Sequence, residues 1–345
     1  MVEGKQWIFW LNELNQHDRP KVGRKCANLG EMINAGLPVP PGYALGVDAY
    51  TIFFAKTNLD KEISEYLKKC DLAKELKYSQ YQEISRHLRQ LIEEQEMPAE
   101  LANIIKMYYR ELAEQCQVEN VPVAVRSSGP ISMPGQFETY LNVRKEENVV
   151  RQIIRCWAST FTTQALAYRL QRGMDIVSPI GVAVLKMVNA KSSGVAFTIH
   201  PTTGEKNKIV VEGSWGLGES VVGGDIAPDR FIVDKKNLKI DATINCKAKQ
   251  IVYSQEGTCE TEVPLELQNQ PCLEQEELMR LVCLARRLEE YYGVAQDIEW
   301  AIDQDLPREQ NLLLVQTRPV SKIIEHKEIN SESIADMMVR NVFSR

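Results

Sequence analysis

The stretch QDIEWAIDQDLPREQNLLLVQTRP, residues 296–319, reads as two successive strands, centred on Ile298–Ile302 and Leu312–Gln316. Side chains alternate along a strand. Asp297, Glu299 and Ala301 therefore share one face of the first, and Gln316 and Arg318 share one face of the second. A carboxylate and an amide can hold Mg²⁺ through oxygen, with an arginine nearby for phosphate. An ordinary cross-strand Glu–Arg pair on a surface fits the same pattern equally well.

Working outward, a helix is expected over about 274–292, where Leu278, Leu281, Val282, Ala285 and Leu288 recur at helical spacing and Gly293 ends the run. Strands are expected at Ile180–Val188, Ser193–Thr198, Ile209–Val211 and Phe231–Val233. Nearer the N-terminus the texture is helical. Residues 60–116 carry the stripes Ile84, Leu88, Leu91, Ile92 and Leu101, Ile104, Ile105, Tyr108, Leu112, and one helix is expected over 147–172. A first helix through Leu29, Met32 and Ile33 ends at the breaker-rich Gly36–Gly42, and Val121–Val125 reads as a short buried strand. Helices first and strands later point to an α+β class. The expected division is 1–200, 201–321 and a tail, 322–345. In the tail, Ser333 precedes Ile334, Met337, Met338 and Val342 at helical spacing. That spacing suits a partner-docking helix and a self-packed terminal helix alike.

The chain has 345 residues, 44% of them hydrophobic, enough for a sizeable core in two or three subdomains. Its formal net charge is -6 and it has no basic block, which argues against nucleic-acid binding. Neither a signal sequence nor a membrane-length apolar run is present, so a cytoplasmic protein without membrane contact is expected. Eight scattered cysteines form no C-x-x-C pair and read as reduced thiols, with Cys26 set apart by its place in a glycine-containing basic loop.

Three further segments combine glycine, charge and strand ends. In Val22-Gly23-Arg24-Lys25-Cys26-Ala27-Asn28-Leu29-Gly30-Glu31, small residues admit a backbone close to phosphate and Lys25 or Arg24 supplies charge where a helix begins. In the loop 126–139, Arg126 leads into Ser-Ser-Gly, a forked cation beside donors of little bulk. Glu212–Gly224 holds five glycines but no Walker A lysine. Taken alone, each fits a solvated or turn-rich connection as well.

Together and in this order, these segments resemble the nucleotide-binding domain of the phosphoenolpyruvate synthase and pyruvate phosphate dikinase family, from about Lys21 to Val320. The most specific stretches are Val22–Glu31, Val123–Asn142, Arg155–Arg169, Ser193–Pro201, Glu212–Asp229 and Gln296–Val320. The resemblance implies an ATP-grasp fold with ATP and Mg²⁺ as cofactors. It implies that Lys25, Arg126 and Arg318 act on the ATP phosphates and that Gly135 and Thr139 belong to a loop covering them. Glu212 with the glycines after it would line the nucleotide cleft, and Glu299 and Gln316 would hold Mg²⁺. The family usually has glutamine where this chain has Leu185, which leaves nucleotide preference open.

Family members of full length add a domain with a phosphorylatable histidine and a barrel that binds pyruvate. His17, His87, His200 and His326 all lack the context of that carrier and read as solvated or structural histidines. The expected activity is therefore that of an ATP-dependent phosphotransferase subunit of dikinase type. It would cleave ATP to AMP and Pi and phosphorylate a histidine on a separate subunit, which also carries the acceptor site. In this it resembles the ATP-binding subunit of phenylphosphate synthase, with phenol or pyruvate as acceptor. A nucleotide-sensing regulatory subunit is the alternative. A carboxylate–amine ligase would instead release ADP.

Overall fold

The computed structural model describes residues 6–70, 72, 76–130, 137–218, 227–255 and 257–320. The tail 322–345 and Gly135 lie outside them. The chain divides into two compact units: Met1–Glu31 with Pro41–Met187, and Met32–Pro40 with Val188–Arg345.

The first unit is built on a five-stranded antiparallel sheet of order β1-β2-β5-β3-β4. Its strands are β1 Ile8–Trp10, β2 Gly42–Leu45, β3 Val123–Ser128, β4 Thr139–Val143 and β5 Gly181–Lys186. Alternation gives the sheet two unlike faces. One carries Tyr43, Leu45, Val123, Val125, Val182 and Val184, all buried in a core with Phe53, Leu88, Ile105, Ile153 and Trp157. The helices that supply those partners are α2 Val47–Lys56, α4 Tyr78–Glu93, α5 Ala99–Cys116 and α6 Glu146–Ala158, while α3 Leu59–Lys69 adds Ile63. Each such aliphatic or aromatic side chain taken fully out of water contributes about 1.5–3 kcal/mol. The other face presents small residues, with Gly42 opposite Leu185, Ala44 opposite Ala183, and Arg126 opposite both Ala183 and Thr139.

The single helix expected over 147–172 is two. After α6 comes a 3₁₀ turn, Ser159–Phe161, and then α7, Thr163–Gln171. The reason is a run of hydroxyl residues that competes for the backbone. Ser159 and Thr160 donate to the carbonyls of Cys156 and Trp157, each at 2.7 Å, and Thr162 Oγ1 accepts from Ala165 N at 3.3 Å as the cap of α7.

The second unit is built on a six-stranded antiparallel sheet of order β13-β12-β6-β7-β8-β9, and β10 and β11 form a separate hairpin. The strands are β6 Ala190–Phe197, β7 Lys208–Trp215, β8 Asp229–Asp234, β9 Ile240–Thr243, β10 Lys249–Tyr253, β11 Thr258–Glu262, β12 Gln296–Asp303 and β13 Leu312–Pro319. Helix α8, Gln275–Tyr292, buries Leu278, Leu281, Val282, Ala285 and Leu288 and stops at Gly293, whose φ of 67° ends the helix in the left-handed region. Glycine is required beneath Trp300: a Cβ on Gly213 would stand 2.6 Å from the indole. The segment 32–40 belongs to this unit because β13 and α8 hold it. Leu314 N donates to Pro38 O at 2.8 Å, and Arg287 donates to the carbonyls of Ala35 and Gly36. Among the described residues no helix is long and apolar enough to cross a membrane.

Candidate functional site

Helix α1 spans Arg19–Asn34 and is broken, within its part in the first unit, at Gly23, where φ is 77° and ψ is 171°. A Cβ there would lie 1.9 Å from the Ser128 carbonyl oxygen, so only glycine lets the chain run this close to the end of β3. Beyond the break the helix is pinned to β3. Arg24 N donates to Gly129 O at 3.0 Å and Cys26 N to Ser128 Oγ at 3.1 Å. Lys25 sits between these two anchors, and Arg126 lies two residues before Ser128 on the strand they grip. Replacing Gly23 with alanine is expected to cost about 2 kcal/mol or more in urea unfolding, through strain and a backbone clash that cannot relax.

Cys26 lies directly in this junction and is fully buried. Burial pushes its thiol up to about 12, with Ser128, Lys25 and Arg126 pulling the other way. The thiol set apart in the sequence is a packing group held protonated and carries no reactive thiolate. Leu185 is buried on β5, on the sheet face that also bears Arg126.

In the second unit the sheet register collects the other residues. One row across the strands runs Gln316, Glu299, Val195, Glu212, Arg230, each opposite the next. The neighbouring row runs Arg318, Asp297, Phe197, Val210, Ile232. Cross-strand partners and positions two apart share a face, so both rows lie on one side of the sheet. Val195, Phe197 and Val210, with Ile232 and Val320 packed against them, make an apolar patch among the charged groups.

Gln316 Nε2 donates to Glu299 Oε1 at 2.8 Å, Arg318 Nε to Asp297 Oδ2 at 2.7 Å, and Arg230 Nε to Glu212 Oε1 at 2.7 Å. Burial opposes the Arg318 charge, but Asp297 and then Glu299 outweigh it and hold the guanidinium above its ordinary pKa. Burial likewise pushes the Asp297 carboxyl up, against the pull of Arg318. The two tendencies conflict, and the short contact to a fixed cation decides for a charged pair. Glu299 and Gln316 offer hard oxygen donors side by side, both half-buried, a pair that would suit a hard divalent cation.

The sequence pattern of the family described as "Pyruvate phosphate dikinase, AMP/ATP-binding domain" matches residues 19–338. The chain belongs to this family. It is 40% identical over 371 residues to a protein of Staphylothermus marinus titled "Probable phosphoenolpyruvate synthase", covering 98% of this chain and 44% of that one. It is 38% identical over 357 residues to the phosphoenolpyruvate synthase of Aeropyrum pernix, covering 94% of this chain and 43% of the relative. The chain therefore spans less than half the length of these family relatives.

Two charged residues of the site escaped the sequence reading. Asp297 was placed beside Glu299 on one face but given no role, although its alternation with Glu299 marks it as a partner for Arg318. Arg230 gave no signal until the register set it opposite Glu212.

Of the histidines, His87 stacks on Tyr66 with ring centres 4.0 Å apart, and His17 lies in a 3₁₀ turn, Gln16–Asp18. His326 lies outside the described residues. His200 Nδ1 accepts from Thr202 N and Thr203 N at 3.3 and 3.2 Å, which fixes a neutral ring. Burial lowers its pKa below 6.5, Glu205 opposing. The fold therefore resists a proton that the unfolded chain accepts. The stability His200 provides is complete above the unfolded value and falls as pH drops through about 6.5. Urea titrations at about pH 7.5 and about pH 5.5 should show this loss, and His200→Gln should reduce it.

Proposed function

We propose that the chain is the ATP-binding, phosphoryl-donating half of a dikinase-type phosphotransferase. Lys25, Arg126 and Arg318 neutralise the phosphates, and Gly135 and Thr139 belong to the segment that covers them. Glu212 helps to line the nucleotide cleft, and Glu299 and Gln316 hold Mg²⁺, which screens charge on the phosphate oxygens. ATP, water and a histidine give AMP, Pi and phosphohistidine. The histidine and the acceptor site sit on a partner subunit, acting in the cytoplasm, with phenol or pyruvate as final acceptor.

The observation that carries this reading is the register pairing Glu299 with Gln316 and Asp297 with Arg318 on one sheet face. It sets a metal-suited donor pair two residues along the same face from a guanidinium whose charge the surrounding carboxylates sustain. Catalysis of phosphoryl transfer consists mainly of such positioning and charge neutralisation. The chain, a histidine-bearing partner, ATP and Mg²⁺ should yield AMP and Pi with acid-labile phosphate on the partner, and adding phenol or pyruvate should discharge it. Release of ADP alone, with no phosphohistidine, would sink the reading.

A nucleotide-sensing regulatory role is favoured by one residue, Leu185, whose apolar side chain replaces a polar contact to the base. Under that reading Glu299→Ala leaves the partner's activity intact.

A further inference from the structure

At the foot of β4, three consecutive residues are each held by a different element of the first unit. Thr139 stands opposite Arg126 in the sheet register. Glu138 receives both terminal nitrogens of Arg89 on α4, each at 2.8 Å, and the Tyr140 hydroxyl as well. Phe137 lies under the guanidinium of Arg169 on α7, 5.7 Å from the ring centre.

Arg169 is an unexpected residue in that place. It is 2% exposed, and it occupies a helix whose neighbours Ala165 and Leu166 are core. Its Nη1 donates to Thr160 O at 3.0 Å and to Ile176 O at 2.8 Å. Among the described residues its contacts are thus two carbonyls and an aromatic face, and no carboxylate. Burial lowers its pKa, Tyr50 opposing. A buried charge without a counter-charge is costly, and an aliphatic side chain would fill the space without that cost. What an aliphatic residue cannot do is bind two carbonyls of separate segments and the face of a ring in a fixed direction.

We propose that Arg169 is a positioning residue for the nucleotide phosphates. Through the Phe137 ring it fixes where β4 begins, and so sets Thr139 and the β4 backbone against Arg126. The proposal rests on the reading of Arg126 as a phosphate-binding residue. It adds a device that pre-orders the strand beside that arginine, so that ordering need not happen when ATP binds.

The test uses the full chain and compares Phe137→Leu, which keeps apolar bulk but removes the π face, with Phe137→Tyr, which keeps the face. Calorimetric titration with ATP and Mg²⁺ reads affinity, and thermal unfolding reads stability. Phe137→Leu is expected to weaken ATP roughly 3- to 30-fold with little change in Tm, and Phe137→Tyr to recover most of that loss. Arg169→Met should weaken ATP similarly, and the Arg169→Met/Phe137→Leu pair should be no worse than the more impaired single variant. Wild-type affinity in Phe137→Leu, or a fall in Tm without a fall in affinity, overturns the proposal and leaves the assignment of Arg126 standing. Absence of ATP binding by the unsubstituted chain overturns both.

Discussion

Glu299→Ala is expected to slow ATP-dependent phosphoryl transfer by about 100-fold or more while leaving the fold intact. The carboxylate is half-buried in the middle of β12 and accepts from Gln316 Nε2 at 2.8 Å. Its loss removes the only anionic member of the donor pair assigned to Mg²⁺ and one of the two carboxylates that sustain the charge on Arg318. Stability should change by less than about 1 kcal/mol, because the side chain lies in no apolar cluster and its removal strands no fully buried charge. Rates of AMP formation with the partner present, read beside thermal unfolding, check both halves. Gln316→Ala should give a smaller effect, since a neutral amide contributes less to holding a divalent ion. Equal activity in Glu299→Ala and the unsubstituted protein would favour the sensing role.

The largest effect on stability is expected elsewhere in the second unit. Lys247 and Asp229 are fully buried and joined at 2.7 Å. Asp229 also accepts from Asn245 N at 3.0 Å and Cys272 N at 2.8 Å, and Lys247 Nζ donates to Asn245 O at 2.8 Å. These partners draw two segments, 245–247 and the one at Cys272, toward the first residue of β8. Lys247→Met leaves the carboxylate buried without its cation and should destabilise by about 3–5 kcal/mol in urea unfolding. Asp229→Asn combined with Lys247→Met should recover part of this loss, because the burden lies in the stranded charge more than in the missing contact. Asp229 precedes Arg230 on the strand, so the single Lys247→Met variant is also expected to disturb the Arg230–Glu212 pair.

Both sheets were legible to different degrees. β12 and β13 could be read from a period of two, because alternation alone puts Glu299 and Gln316 each on a definite face. Helix α8 could be read down to its last turn, since an apolar stripe and a terminal glycine are local signals. The strands β9, β10 and β11 gave no such signal: IDAT and TCETE are largely exposed, KQIVY is mostly half-buried with no fully buried residue, and a strand without a buried face shows no alternation. The break between α6 and α7 was hidden because its cause is hydroxyl chemistry at Ser159, Thr160 and Thr162, while the apolar stripe runs on through Phe161.

The site was legible where one strand carries the whole pattern and obscure where a partner comes from far along the chain. Asp297 and Arg318 could have been paired by alternation. Arg230 could not be assigned to Glu212 without knowing which strands are neighbours. Arg169 looked like one more position in a helical stretch, and only its buried surroundings distinguish it. Gly23 was read as a residue that admits phosphate; the structure gives it a prior duty, the close passage of α1 against Ser128.

If Glu299 and Gln316 hold the metal as proposed, they make ATP binding depend on Mg²⁺. Calorimetric titration of the full chain with ATP, in magnesium and in chelator, tests it most directly. Binding should weaken by about tenfold or more when Mg²⁺ is withdrawn, and the weaker binding of Glu299→Ala should no longer respond to the ion. ATP binding of equal strength with and without Mg²⁺ in the unsubstituted protein would contradict it.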